Sequence, residues 1–451
     1  MNRYSVPAVK SVLWGGGLLA ALWLVDLFVL RTPVLTPFAR RPALTPLYAF
    51  WLPLLRPQAL LFAAAAATLA CVSCRLADPA RTPRTWFVAS LLVASVALPL
   101  TLFVARQDPA ELGSQFLIYP KEEFFADARQ IGDLREFVGS YVDRMPDLSL
   151  HGRHFPPGHA ALLYGVGKVF GAGTLPAGVT VLVCFAAAMT TAYLGLARHA
   201  GEAAGRQGVL LLLASPSLLD FACTSMDAVF LLYATVAWRL ALGAFSTGRA
   251  RAAVWTGLAL FAASMASFSA LVVGLAVSVY GIACWGRLRA KALRQLAVVA
   301  ASFVAGGALV YAATGFSLRE CFAVARFQNV ALMTRVIGRD PAALYGRIAF
   351  GNLAAFAIGA GLGLVSALAL RLRASGSKLD PWTAATAATL AVMTFGGFYT
   401  METERIWLYA LPWIALVAVS ARPLQCAALR VLLAAGWAQS LAMEVLLFTL
   451  W

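Results

Sequence analysis

Residues 174–197, TLPAGVTVLVCFAAAMTTAYLGLA, carry no charged side chain and are closed by Arg198, and residues 86–105, WFVASLLVASVALPLTLFVA, repeat the pattern. Each run is long enough to cross roughly 30 Å of hydrocarbon as a helix. Further apolar runs are expected to form helices at about 12–30, 48–73, 208–223, 225–244, 252–267, 268–285, 295–314, 350–370, 381–400, 405–420 and 425–450. The stretch 252–285 reads equally as one long tilted helix. No segment of comparable length alternates with a period of two, which excludes an outer-membrane barrel. The fold class is therefore all-α: a polytopic helical membrane protein of about thirteen spans. Residues 1–451 form a single membrane domain, with N-terminal helices over 1–85, a long first loop over 106–172 and a basic loop over 315–348. The first run is too long for a typical signal-peptide core and is followed by Arg-Thr-Pro, so it is expected to be retained.

Composition agrees. The chain is 61% hydrophobic and only 12% charged, which would leave a soluble domain with an apolar surface. The net charge of +16 does not point to nucleic acid, because Lys and Arg fall mostly in short loops between apolar runs and in two longer loops. Arg75, Arg81 and Arg84, Arg198 and Arg206, Arg249 and Arg251, Arg287 to Arg294, and Arg371 to Lys378 all fall on one side. The positive-inside rule makes that side cytoplasmic, together with the amino terminus, in a multi-pass protein of the inner (plasma) membrane. Of the twenty Asp and Glu, only Asp78, Glu202 and Asp380 then lie inside, and nine share the loop from Asp108 to Asp147. That concentration argues that some of them act. Six of seven cysteines lie in or beside apolar runs, so no disulfide framework is expected, and the Cys71-x-x-Cys74 pair has no neighbouring ligand cluster.

Within the first outer loop, Asp127, Ile131, Leu134 and Val138 are spaced as one interfacial helix. The apolar segment Ala160–Phe170 is too short to cross and forms a second. Four outer segments then stand out. Glu122, Glu123 and Asp127 follow Tyr119-Pro-Lys; four apart on a helix, Glu123 and Asp127 would share a face. The second is His151-Gly-Arg-His-Phe-Pro-Pro-Gly-His159, where Pro156 and Pro157 set a turn and open a helix, holding Arg153 and His154 just before it. Its three histidines do not have the spacing of a metal set. The third runs from Ser215-Pro to Asp220 and Asp227, at a helix junction where Asp is costly or acts as a cap. The fourth, Phe398 to Trp407, places Glu404 and Arg405 at another junction.

Taken in order, these motifs resemble the GT-C superfamily of membrane glycosyltransferases, in particular bacterial relatives of the protein mannosyltransferases and lipid A aminoarabinose transferases. The residues that carry the resemblance are Glu122-Glu123-Phe124…Asp127, His154-Phe155-Pro156-Pro157-Gly158 and Glu402-Thr403-Glu404-Arg405-Ile406-Trp407, within roughly 85–420. This chain has Glu-Glu where many members have Asp-Glu, and two helices ahead of the loop where one is common. The resemblance implies inverting transfer of a sugar from a polyprenyl-phosphate donor to a glycan, lipid or protein acceptor on the extracytoplasmic side, among membrane lipids. It implies Asp127 as base with Glu123 or Glu122 as partner or substitute. It also implies Arg153, Arg326, Arg335 and Arg405 on the leaving phosphate, with Lys168 behind them and His154, Asp227 and Glu404 at the substrate. No nucleotide-binding Gly-rich motif is present, as expected for a donor activated by its own lipid phosphate. Two adjacent acidic groups either hold a divalent metal ion or act without one, so a divalent ion is one alternative and no other cofactor is implied. The alternative is a secondary transporter or flippase of a lipid-linked or small polar substrate, against which stand the absence of a two-fold repeat and of paired Gly/Pro-broken helices carrying midplane charge. A non-enzymatic scaffold would leave the acidic loop without a role.

Overall fold

The computed structural model describes residues 5–30, 46–47, 49–118, 123–337, 344–374, 380–399, 402–420 and 423–449. It is all-α and polytopic. Among the described residues, eight helices are long and apolar enough to cross a membrane: Pro7–Leu30, Ala59–Ala77, Arg84–Val104, Thr174–Ala200, Asp227–Thr247, Ala290–Thr314, Tyr345–Arg373 and Cys426–Leu446. Shorter apolar helices are Ala250–Ala266, Ala270–Ala283 and Leu408–Val419. The stretch 252–285 is two helices, because Ser267 is extended (φ −155°, ψ 140°). The run expected from 48 begins as a helix only at Ala59. Ala49–Trp51 instead pairs antiparallel with Leu447–Thr449, and Pro53 and Pro57 keep the intervening chain out of the helix.

The run expected at 208–223 is broken. Glu202–Leu212 ends, and Pro216–Asp220 starts a new short helix. Against this break packs a second one, inside Tyr345–Ala374 at Gly361 (φ 85°, ψ 161°). Only glycine suits that conformation without strain, and a Cβ there would also strike Pro216 Cδ. The freed backbone groups find side chains, as they must away from water. Ser215 Oγ donates to Gly359 O at 2.9 Å. Gln439 accepts from Leu362 N at 2.7 Å and donates to Ile358 O at 2.9 Å. Two broken helices thus pack against each other; the periodicity of apolar residues is blind to a break that keeps its apolar composition.

The loops sort to two ends. At one, Arg206 donates to Leu76 O and Thr82 O, Gln207 to Leu424 O, and Gln295 to Gly248 O. Arg371 lies near Ser420 and Asp380 there. This is the end that gathers the short Arg-rich loops. Cys74 is also joined to Cys426 there by a disulfide, Cα–Cα 5.3 Å. No local pattern signals it, because the two cysteines are 352 residues apart. At the opposite end Arg106 donates to Leu52 O and Leu447 O, Gln115 to Cys223 O, Arg135 to Ala313 O and Tyr399 to Ser269. The acidic loop lies at this second end.

That loop is not one interfacial helix. Phe124–Ala128 and Leu134–Gly139 are separate, and the second is capped by Asp133, whose carboxylate accepts from Glu136 N. Asp133 is a good N-cap and Gly132 precedes it, so the local chemistry overrides the apolar spacing. The segment expected at 160–170 is a helix, Gly158–Phe170. A small core of Ile131, Phe137, Tyr141, Met145, Leu148, Phe316 and Cys321 anchors the loop to the Leu318–Ile337 helix. The basic segment expected as loop 315–348 is therefore largely helical, with 338–343 outside the described residues.

Candidate active site

The site is built around Phe124. Its ring stacks on His151 (5.3 Å, 25°) and sits against Phe155 and His159 at 5.7 and 4.9 Å. Below it, the Tyr141 hydroxyl donates toward Gly152 O (2.9 Å) and Phe155 O (3.0 Å), which fixes the turn that carries both histidines. Glu123 precedes the Phe124–Ala128 helix in extended conformation (φ −99°, ψ 139°). Its carboxylate is therefore aimed away from that of Asp127, into a pocket lined by Glu123, His151, His159, Thr224, Ser225, Asp227 and Arg405. Glu123 Oε2 lies 3.8 Å from His151 Nδ1.

Asp127 faces elsewhere. It is 1% exposed and accepts from Ser149 N at 2.9 Å and Ser149 Oγ at 2.5 Å. Ser149 is the N-cap of Leu150–His154, and a Cβ at Gly152 would strike Asp127 Oδ2. Burial raises the Asp127 pKa, and the Ser149 hydrogen bonds oppose that. The expected base thus packs against the histidine turn, and it does not share a face with Glu123 because Glu123 is extended and lies outside the Phe124–Ala128 helix.

Across the pocket, Asp227 opens the Asp227–Thr247 helix, where the helix dipole favours a carboxylate. It accepts from Ser225 Oγ at 2.7 Å and lies 3.3 Å from Arg405 Nη1. Arg405 Nη2 reaches Glu402 at 2.5 Å. Burial alone would favour neutral Arg405, but the charges of Asp227, Glu402 and Glu123 outweigh it and raise its pKa. Glu404 and Arg405 are adjacent on a helix and so point about 100° apart. Glu404 is buried toward Gly359 of the kinked helix, while Arg405 takes the pocket side.

The other expected residues stand outside the lining. Arg153 is exposed, with Nε donating to Leu148 O. His154 Nδ1 lies 2.6 Å from Leu150 O, and Lys168 is exposed over the Tyr164 ring at 5.1 Å. Arg326 and Arg335 are exposed on Leu318–Ile337. Glu122 lies outside the described residues. His151 and His159 line the pocket and Glu402 pairs with Arg405, although the sequence singles out their neighbours in the same motifs; spacing along the chain does not reveal which side chain turns inward. Among the described residues no three His, Cys, Asp or Glu side chains are grouped as a metal ion needs.

His159 is 3% exposed, and its Nδ1 has no hydrogen-bond partner among the described residues. Burial lowers its pKa from 6.5 to about 4, with Asp227 opposing and His151 reinforcing the shift. The native state then binds fewer protons than the unfolded chain between those values. Stability from this group is whole above pH 6.5 and falls as pH drops toward 4, by up to about 3 kcal/mol. Thermal unfolding in detergent from pH 7.5 down to 4.5 is expected to show a steeper loss for the parent than for His159→Gln; equal slopes would contradict the assignment.

No family model matches the sequence, and no curated protein matches it. Six solved chains are similar, two of which follow. One is ArnT from Cupriavidus metallidurans bound to undecaprenyl phosphate: 15% identity, 76% of this chain and 60% of that chain, TM-score 0.43. The other is the Archaeoglobus fulgidus oligosaccharyltransferase in complex with Zn and sulfate: 13% identity, 79% of this chain and 53% of that chain, TM-score 0.48. The likeness is one of fold. The chain spans between about half and three-fifths of the length of these proteins.

Proposed function

We propose that this chain is a GT-C-type glycosyltransferase that moves a sugar from a polyprenyl-phosphate carrier to an acceptor hydroxyl, with inversion, at the end remote from the Arg-rich loops. The observation that carries the reading is the buried Glu123 carboxylate facing a pocket whose far wall is the Asp227–Arg405–Glu402 cluster. The motif resemblance supports it. Glu123 takes the proton of the acceptor hydroxyl as that oxygen attacks the anomeric carbon. The bond from that carbon to the carrier's phosphate oxygen breaks on the opposite face, and its electron pair leaves with the phosphate. Asp227 and neutral His159 hold acceptor hydroxyls.

Arg405 is committed to two carboxylates, so the pocket keeps a net negative charge and is poorly suited to a phosphate. Charge complementarity therefore assigns the leaving phosphate to the exposed guanidiniums of Arg153, Arg326 and Arg335. The basic end is cytoplasmic and the pocket extracytoplasmic in this proposal, as the loop charges require.

Sealed vesicles of known sidedness test both parts together. With a short-chain polyprenyl-phosphate sugar in the bilayer and acceptor added only on the pocket side, glycosylated acceptor and free polyprenyl phosphate are expected. Acceptor enclosed on the Arg-rich side should stay unmodified. The paired helix breaks favour a second reading, a flippase of a lipid-linked substrate; movement of intact donor between leaflets with no bond broken would select it and sink the transferase.

A further inference from the structure

Arg239 lies on a membrane-crossing helix eight residues before its end at Thr247, roughly 12 Å inside the terminus at 1.5 Å per residue. It feels the positive charge of Arg198 and Arg84. Arg198 and Gly243 are in contact, the guanidinium carbon 3.7 Å from where a Cβ would stand on Gly243, and Gly243 is one turn from Arg239 on the same face. Arg84 sits 5.7 Å over the Tyr193 ring. Glu202, whose charge reaches Arg84, already accepts from Arg206 and Tyr193. Among the described residues no ion pair joins Arg84, Arg198 or Arg239 to a carboxylate, and all three are exposed. Arg239 thus lies at membrane depth with Arg198 and Arg84 as like-charged neighbours toward the helix ends, which is costly unless an anion joins them.

The neighbouring surface says which anion. Cys184, Thr191 and Arg198 are seven apart, one stripe of the Thr174–Ala200 helix; Tyr233, Val236 and Arg239 form the facing stripe of Asp227–Thr247. The four uncharged members are half-buried, and Tyr233 lies near Cys184. The seam between these two packed helices thus offers an uncharged groove from the bilayer interior up to the arginines. We propose that this groove binds one anionic phospholipid of the leaflet at the basic end, its phosphate among Arg84, Arg198 and Arg239 and an acyl chain along the stripes. The inference stands apart from the transferase pocket, which lies at the other end.

The test uses the full chain purified in detergent and incubated with equal amounts of phosphatidylglycerol and phosphatidylcholine of the same acyl chains, with retained lipid measured by native mass spectrometry. The parent is expected to retain phosphatidylglycerol over phosphatidylcholine by on the order of tenfold. Arg198→Gln with Arg239→Gln should bring the ratio to about one, while the Lys pair keeps most of the preference. Thermal unfolding of each variant separates a lost site from a lost fold. Millimolar inorganic phosphate should leave the lipid in place; if it displaces it, the arginines serve a soluble anion and the proposal fails. It fails equally if the parent shows no preference, or if a folded Gln pair retains phosphatidylglycerol as the parent does.

Discussion

Glu123→Gln is expected to lower transfer by about 10²–10⁴-fold, the range a positioned general base supplies. The change is nearly isosteric and removes only the charge that accepts the proton. Glu123 occupies the N-cap position of Phe124–Ala128 but its side chain makes no capping hydrogen bond, so folding and donor binding should be close to those of the parent. Asp127→Asn is the informative control. Both Asp127 oxygens accept from Ser149, and an amide has only one acceptor oxygen to offer. The variant should therefore lose about 1–3 kcal/mol of stability and retain turnover per folded molecule. Rate and unfolding temperature measured on the same preparations decide between the two carboxylates. A fully active Glu123→Gln enzyme beside an inactive but stable Asp127→Asn enzyme would return the base to Asp127.

The second large effect is expected at Arg405. Its side chain is 9% exposed and holds Asp227 and Glu402, themselves 16% and 12% exposed. Arg405→Met would leave two carboxylates facing each other without a cation. Breaking a buried pair from one side costs about 3–5 kcal/mol. Part of that should return in Arg405→Met with Asp227→Asn, since the uncompensated charge is then halved. Unfolding temperatures of the three proteins test this; an Arg405→Met protein as stable as the parent would mean the cluster is solvated and the pocket wall is misassigned. Arg405→Lys should recover charge but only one of the two contacts, because an ammonium lacks the fork that reaches both acids.

The fold class needed only the sequence. Runs such as 174–197 must be membrane helices because nothing else satisfies their backbone away from water. The segregation of Arg to one set of loops is likewise a property of the chain, and the structure gathers those loops at one end. Each pocket wall was also legible as a motif: the Glu123 segment, the histidine turn, the Asp227 junction and the Glu402–Arg405 stretch. What the chain order left undetermined was direction. Glu123 and Asp127 are four apart, yet one opens an extended entry to a five-residue helix and the other caps into Ser149; only packing around Phe124 settles which reaches the pocket. The break at Gly361 against Pro216 and the Cys74–Cys426 link join residues more than 140 apart. No local pattern encodes such contacts. They exist because helices brought side by side must fill the same space and satisfy the same freed backbone groups, a condition met only once all the helices are in place.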